Sequence, residues 1–106
     1  MPRKDSYKPS KMQTSCECFI CHKPMTVGLE HHHAIPGRNR KKCDDYGLWI
    51  WLCRQCHTLL HDKGEHDKEI RAYAQQVFIA DMKRQGYPED ICKERWLSEF
   101  GKFYEL

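Results

Sequence analysis

Two cysteine pairs, Cys18-x2-Cys21 and Cys53-x2-Cys56, constrain this chain more than any other feature. Two residues between cysteines let one tight turn aim both sulfurs at a single point. Two such turns supply four thiolates, the tetrahedral set of a structural zinc site. The 31 residues between the pairs exceed the span of a simple zinc ribbon. The site is therefore expected to bracket a hairpin and loop that carry something else. Such an ion also supplies stability that so small a core lacks. A redox role for one CxxC is the weaker reading, because no βαβ pattern surrounds it. Cys16 offers a substitute ligand two residues early, although spacing favours Cys18. Cys43 and Cys92 lack partners in sequence and read as free thiols.

With 106 residues there is room for one domain and one modest core. Seven cysteines are an odd number for a disulfide framework. The opening MPRKDSYKPSKMQTS has no apolar stretch of the kind a signal peptide needs, so a reduced, cytoplasmic chain is expected. No run of 18 apolar residues exists, which argues against a membrane span. The net charge of +3 hides an asymmetry. Residues 1–61 hold ten Lys/Arg against five Asp/Glu, a net +5, and residues 62–106 hold eight against ten, a net −2. A basic face suits a phosphate-bearing partner, and an ordinary solvated surface accounts for it as well.

Residues 1–15 read as a disordered basic arm and 16–106 as a single domain. The fold class expected is small α+β, a zinc-stapled hairpin and helix followed by two C-terminal helices. A short strand is expected around Thr26–His33. A loop with Pro36, Gly37, Arg38, Arg40, Lys41 and Lys42 follows, and YGLWIWLC then reads as a buried strand. The spacing predicts an amphipathic helix over 67–85, with Ile70, Tyr73, Ala74, Val77, Phe78 and Met82 inward and Asp67 as N-cap. A last helix is expected over 89–100, with Ile91, Trp96, Leu97 and Phe100 inward.

His57 directly follows the second cysteine pair and His61 lies four residues on. In a helix these positions share a face, which places two imidazoles to bind one cation. The triplet His31-His32-His33 is the opposing cluster. Neighbours along a regular strand point to opposite faces, so adjacent histidines serve one site only where the strand ends and twists. Pro36 and Gly37 supply such an ending. One histidine then binds metal while its neighbour stays free as a base. His22, beside Cys21, reads as a knuckle neighbour or spare ligand. One of Trp49 and Trp51 is expected in the core, with the other facing the helix or stacking on a base.

The order CxxC…HH…CxxCHxxxH resembles the HNH (ββα-metal) endonuclease family, in its variant with a four-cysteine zinc site. HHAIPGRNRKKCDDYGLWIWLCRQCH and the terminal FGKFYEL are similar to small HNH-like proteins of phages and prophages in Gram-positive bacteria. The resemblance runs from about Cys18 to Leu106. It implies a metal-dependent DNA endonuclease or nickase with His33 as general base. It further implies one divalent cation (Mn²⁺, Mg²⁺, Ni²⁺ or Zn²⁺) held by His32, His57 and His61, with His31 a bystander or supporting partner on the other side of the strand. Three imidazoles without a carboxylate suit zinc, nickel, manganese or iron better than magnesium. Arg38, Arg40, Lys41 and Lys42 are then candidates to grip phosphates without reading bases, or else a solvated loop.

Two positions depart from the family pattern. Its middle Asn falls on Leu48 here, and Asn39 substitutes only if the loop folds back. After the second knuckle the chain has Gly64-Glu65-His66, so His66 competes with His61 as the last ligand. The alternative function is an inactive zinc-dependent nucleic-acid-binding, phage regulatory or partner-binding protein. A homodimer would give double-strand cuts, and nothing in the sequence shows one.

Overall fold

The computed structural model describes residues 8–24 and 28–104. Strand β1 (Leu29–His33) leads through a 3-10 turn (Gly37–Asn39) into helix α1 (Arg40–Tyr46). Strand β2 (Trp49–Cys53), α2 (Arg54–Lys63), α3 (Asp67–Arg84) and α4 (Glu89–Phe100) follow. The described residues thus form an α+β fold with one two-stranded sheet and four helices. Thr26, in the expected first strand, lies outside the described residues. No helix is long and apolar enough to cross a membrane among the described residues.

The antiparallel register pairs His31 with Trp51, His32 with Ile50 and His33 with Trp49. Residues directly opposite share a face of the sheet, so His31, His33, Trp49 and Trp51 lie together and His32, Ile50 and Glu30 lie on the other side. Ile50 and Leu52 are fully buried, which holds the register against a one-residue slip.

The expected loop after Pro36 is instead a helix. From Arg40 to Tyr46 nothing breaks a helix, and Cys43 buries itself on the inner side. Gly47 then ends α1 in the left-handed region at φ 70°. A Cβ at Gly47 would also collide with the Pro9 carbonyl oxygen, so two demands meet at one glycine.

That collision point exists because residues 8–12 are fastened to the sheet and α1. Ser10 Oγ donates to the Trp49 carbonyl at 2.5 Å, and Trp49 Nε1 donates to the Lys8 carbonyl at 2.7 Å. Lys8 and Lys11 donate backbone N–H groups to Asp44 and Gly47. Met12 is buried in the core. Residues 8–12 of the expected arm thus pack on the sheet and α1, because the buried Trp49 indole needs an acceptor and the segment provides it; residues 1–7 lie outside the described residues.

Helix α3 starts with His66 as N-cap, at φ 67°, rather than Asp67. Ile70, Ala74 and Phe78 face the core, while Tyr73 is 38% exposed. On α4 the inward set is Cys92, Trp96 and Phe100, a strict four-residue spacing. Ile91 and Leu97, expected inward, are 40% and 43% exposed. Trp96 packs with Phe78 and Phe100 at ring-centroid distances of 5.4 and 4.3 Å. The large indole sets the rotation of the helix, and its neighbours at Ile91 and Leu97 follow outward.

Candidate metal centres

Cys18, Cys21, Cys53 and Cys56 are positioned to hold a metal ion, with ligand atoms within 4.8 Å of one another. Each pair closes the same way: the Cys21 N–H points at Cys18 Sγ and the Cys56 N–H at Cys53 Sγ, both at 3.5 Å. Cys53 is the last residue of β2 and the N-cap of α2. The first knuckle is docked on the sheet by Phe19 N–H to the Trp51 carbonyl, at 2.8 Å. Cys21 Sγ and Cys53 Sγ are 3.9 Å apart. A tetrahedral ion with metal–sulfur bonds of about 2.3 Å needs edges of about 3.8 Å, so the cluster fits.

Burial opposes ionisation of Cys18, but backbone hydrogen bonds from Cys53, Cys21 and Ile20 outweigh it and bring the thiol down to about 6. Burial and the three neighbouring thiols push Cys56 the other way. A cation held by these four thiolates would compensate the charge they share. Cys16 lies outside the cluster, and His22 turns away to Glu17 at 2.7 Å.

A second group comprises His32, His57 and His61. The i, i+4 pair on α2 sets His57 Nε2 and His61 Nε2 3.0 Å apart, and His32 Nδ1 lies 3.3 Å from His57 Nε2. Metal–nitrogen bonds of about 2.05 Å in a tetrahedron give edges of about 3.3 Å, so these imidazoles also fit one ion. Glu30, two residues before His32 and on its face, accepts from His57 Nδ1 at 2.7 Å. That bond puts the proton on Nδ1 and leaves the Nε2 lone pair aimed at the cluster. The hydrogen bond from His57 first, with the nearby Arg54, holds the Glu30 carboxyl below its usual range against burial. His32 is 4% exposed. Burial first, then the charges of His57 and His61, pull it down to about 4, so it is neutral at pH 7. Its Nε2 is buried without a hydrogen-bond partner among the described residues. His66 is elsewhere, 3.5 Å from Glu69 and beside a different cavity walled by Phe19, Ile70 and Tyr73.

The strand does not twist at His32–His33 as expected: regular pairing runs to the His33–Trp49 step. His33 therefore shares its face with His31, which is more than a bystander. His31 Nε2 and His33 Nε2 both donate to Asp44 Oδ1, at 3.0 and 2.9 Å. These three also fall within 4.8 Å of one another. His31 stacks on Trp49 at 4.3 Å. Trp51 stands edge-on to Trp49 at 4.9 Å, so both indoles sit on the His31 face rather than one facing α2. At the open end of the sheet the two histidine groups meet. One cavity of about 310 Å³ is walled by His32, His57 and His61 on one side and His31 and His33 on the other, with Pro36, Gly37 and Arg40 closing it.

Leu48 is fully buried. The backbone there is fastened by other means: Ala34 N–H donates to the Leu48 carbonyl at 3.0 Å, and Leu48 N–H to the Cys43 carbonyl at 2.8 Å. Cys43 and Cys92 are free thiols, as expected, and the Cys43 side chain is hydrogen-bonded in the core. Its Sγ accepts from Ile35 N–H and donates to the Ile35 carbonyl, each at 3.4 Å. Burial pushes this thiol up to about 11, which keeps it a donor. Cys92 Sγ likewise points to the Tyr87 carbonyl at 3.7 Å. Asn39 serves as N-cap of α1 without a side-chain capping bond.

The four basic candidates separate. Arg40 walls the histidine cavity and donates Nε–H to the Gly37 carbonyl at 3.1 Å. Arg38 is exposed. Lys41 is exposed beside Asp45 at 3.6 Å. Lys42 is turned onto α4, donating to the Glu99 carbonyl at 2.6 Å, because the adjoining Tyr46 hydroxyl ties Glu99 to the same spot. Glu30 and Asp44 are the residues sequence reasoning passed over. Glu30 was legible from strand alternation, whereas Asp44 needed the unexpected helix. No protein-family model, curated protein or solved structure matches the chain.

Proposed function

We propose that this chain is a metal-dependent DNA endonuclease or nickase of the HNH type, with zinc on the four cysteines. The observation that supports it most is the single cavity shared by the three-imidazole group and His33. In this reading His33 is the general base that takes a proton from the attacking water. His32, His57 and His61 hold one divalent cation, Mn²⁺, Mg²⁺, Ni²⁺ or Zn²⁺. When bound, that cation supplies Lewis-acid stabilisation to the scissile phosphate and the departing 3′ oxygen. Arg40 on the cavity wall grips a phosphate oxygen, with Arg38 and Lys41 on the exposed surface near it. The products carry 5′-phosphate and 3′-hydroxyl ends.

The test is nicking of supercoiled plasmid with each cation, beside His33→Ala. Nicking by wild type and a loss of about 10²-fold or more in the variant is the expected result. Nicking that persists unchanged in the variant removes His33 as base. A second reading, an inactive nucleic-acid-binding or partner-binding zinc module, draws on Leu48 sitting in the core where the resembled family has Asn. Gel-shift binding of DNA with no nicking under any cation selects it.

A further inference from the structure

We infer that Asp44 is the positioning residue for His33. It sets the ring's orientation and tautomer. The catalytic consequence rests on the nuclease reading above, while the placement of the ring does not.

An aspartate carboxylate offers only acceptors. The 2.9 Å contact between His33 Nε2 and Asp44 Oδ1 therefore places a proton on Nε2. In a neutral imidazole the other nitrogen, Nδ1, is then the acceptor. His33 walls the cavity that holds the three-imidazole group, and with Nε2 committed to Asp44 its remaining nitrogen is the one left to take a proton there. A base whose tautomer is left open spends part of its time with the wrong nitrogen protonated, and an orienting carboxylate removes that fraction.

Asp44 is itself held. It lies on α1 one residue after Cys43, whose thiol clamps both backbone groups of Ile35. Its carbonyl accepts from Lys8 N–H at 2.8 Å. His31 donates to the same oxygen at 3.0 Å and is stacked on the buried Trp49. The Asp44 backbone is thus tied to Lys8, and its carboxylate, only 22% exposed, is held by His31 beside His33. The base is steadied through its ring by a side chain from α1, and the loop is steadied by the Cys43 thiol.

The experiment compares zinc-loaded wild type with Asp44→Asn, after matching metal content and thermal midpoint. Nitrogen-15 NMR of the histidine rings reads the tautomer, and plasmid nicking gives kcat and KM. The expected result is an Nε2–H ring at His33 in wild type and a shift toward the Nδ1–H form in the variant. A drop in kcat of at least tenfold, with KM within about twofold, accompanies it. Identical ring nitrogen shifts in the two proteins overturn the proposal, as does an unchanged kcat. A third zinc ion per wild-type chain that Asp44→Asn loses also overturns it, since Asp44 is then a ligand. If wild type nicks no DNA yet shows the Nε2–H tautomer that Asp44→Asn loses, the nuclease reading falls and the placement of His33 by Asp44 stands supported.

Discussion

Glu30 and His57 are joined by a 2.7 Å hydrogen bond that crosses from β1 to α2. It couples the strand carrying His32 to the helix carrying the other two imidazoles. Glu30→Gln keeps the shape and removes the charge. Outer partners of metal-binding histidines typically account for about 10–100-fold in affinity. Titration calorimetry with zinc is expected to show that loss for the imidazole group while the thiolate group keeps its ion. Equal affinity in both proteins would mean that Glu30 orients nothing.

The burial of His32 sets a pH dependence. Its folded pKa is pulled down to about 4, against about 6.5 in an unfolded chain. Between those values the unfolded chain binds more protons, so stability falls as pH is lowered through the window. The full effect below pH 4 is about 3 kcal/mol, and protons competing for a bound cation act in the same direction. Denaturant midpoints at pH 7.5 and 5 are expected to diverge more for wild type than for His32→Gln.

The four thiolates are expected to carry the fold as well as an ion. Cys18→Ser removes the one fully buried sulfur of the group, and Cys16→Ser touches an exposed sulfur outside it. The first change should abolish one bound ion and collapse cooperative unfolding, because small metal-stapled domains fold with their metal. The second should leave both metal content and the circular dichroism melt unaltered.

Gly47 and Gly37 share a left-handed backbone, at φ 70° and 76°, but only Gly47 faces a neighbour. Gly37→Ala is expected to cost about 1 kcal/mol from backbone strain alone. Gly47→Ala adds the collision with Pro9 and is expected to cost about 3 kcal/mol or more. Urea unfolding of the two variants gives the difference directly.

The parts legible in sequence were those with a strong local period or a fixed spacing. The cysteine spacing located all four sulfurs of the first cluster, and the i, i+4 rule brought His57 and His61 together. The span 89–100 of α4 was legible, but its rotation was not. Trp96 and Phe100 are inward as expected, but Cys92 is buried where Ile91 and Leu97 were expected, because the indole packed on Phe78 fixes which side faces in. The helix α1 was hidden because a run of Arg and Lys after Pro-Gly carries no apolar stripe; its anchors are Cys43 and, at the end, Tyr46 against Phe78. The contacts of Asp44 and Lys42 were hidden for the same reason, since they come from α1 folding against the sheet and α4. The 8–14 segment has too few apolar residues to signal order, and its hydrogen bonds to Trp49, Gly47 and Asp44 are all long-range.

Cys53 closes β2, opens α2 and stands four residues before His57. The imidazole pair thus hangs from a helix whose first turn is tied down by sulfur. An oxidant that takes one of those sulfurs never meets a histidine, yet it frees the turn from which His57 projects. The four-sulfur cluster and the imidazole pair then share a single point of failure, set by the oxidation state of the surroundings rather than by any reactant in the cavity.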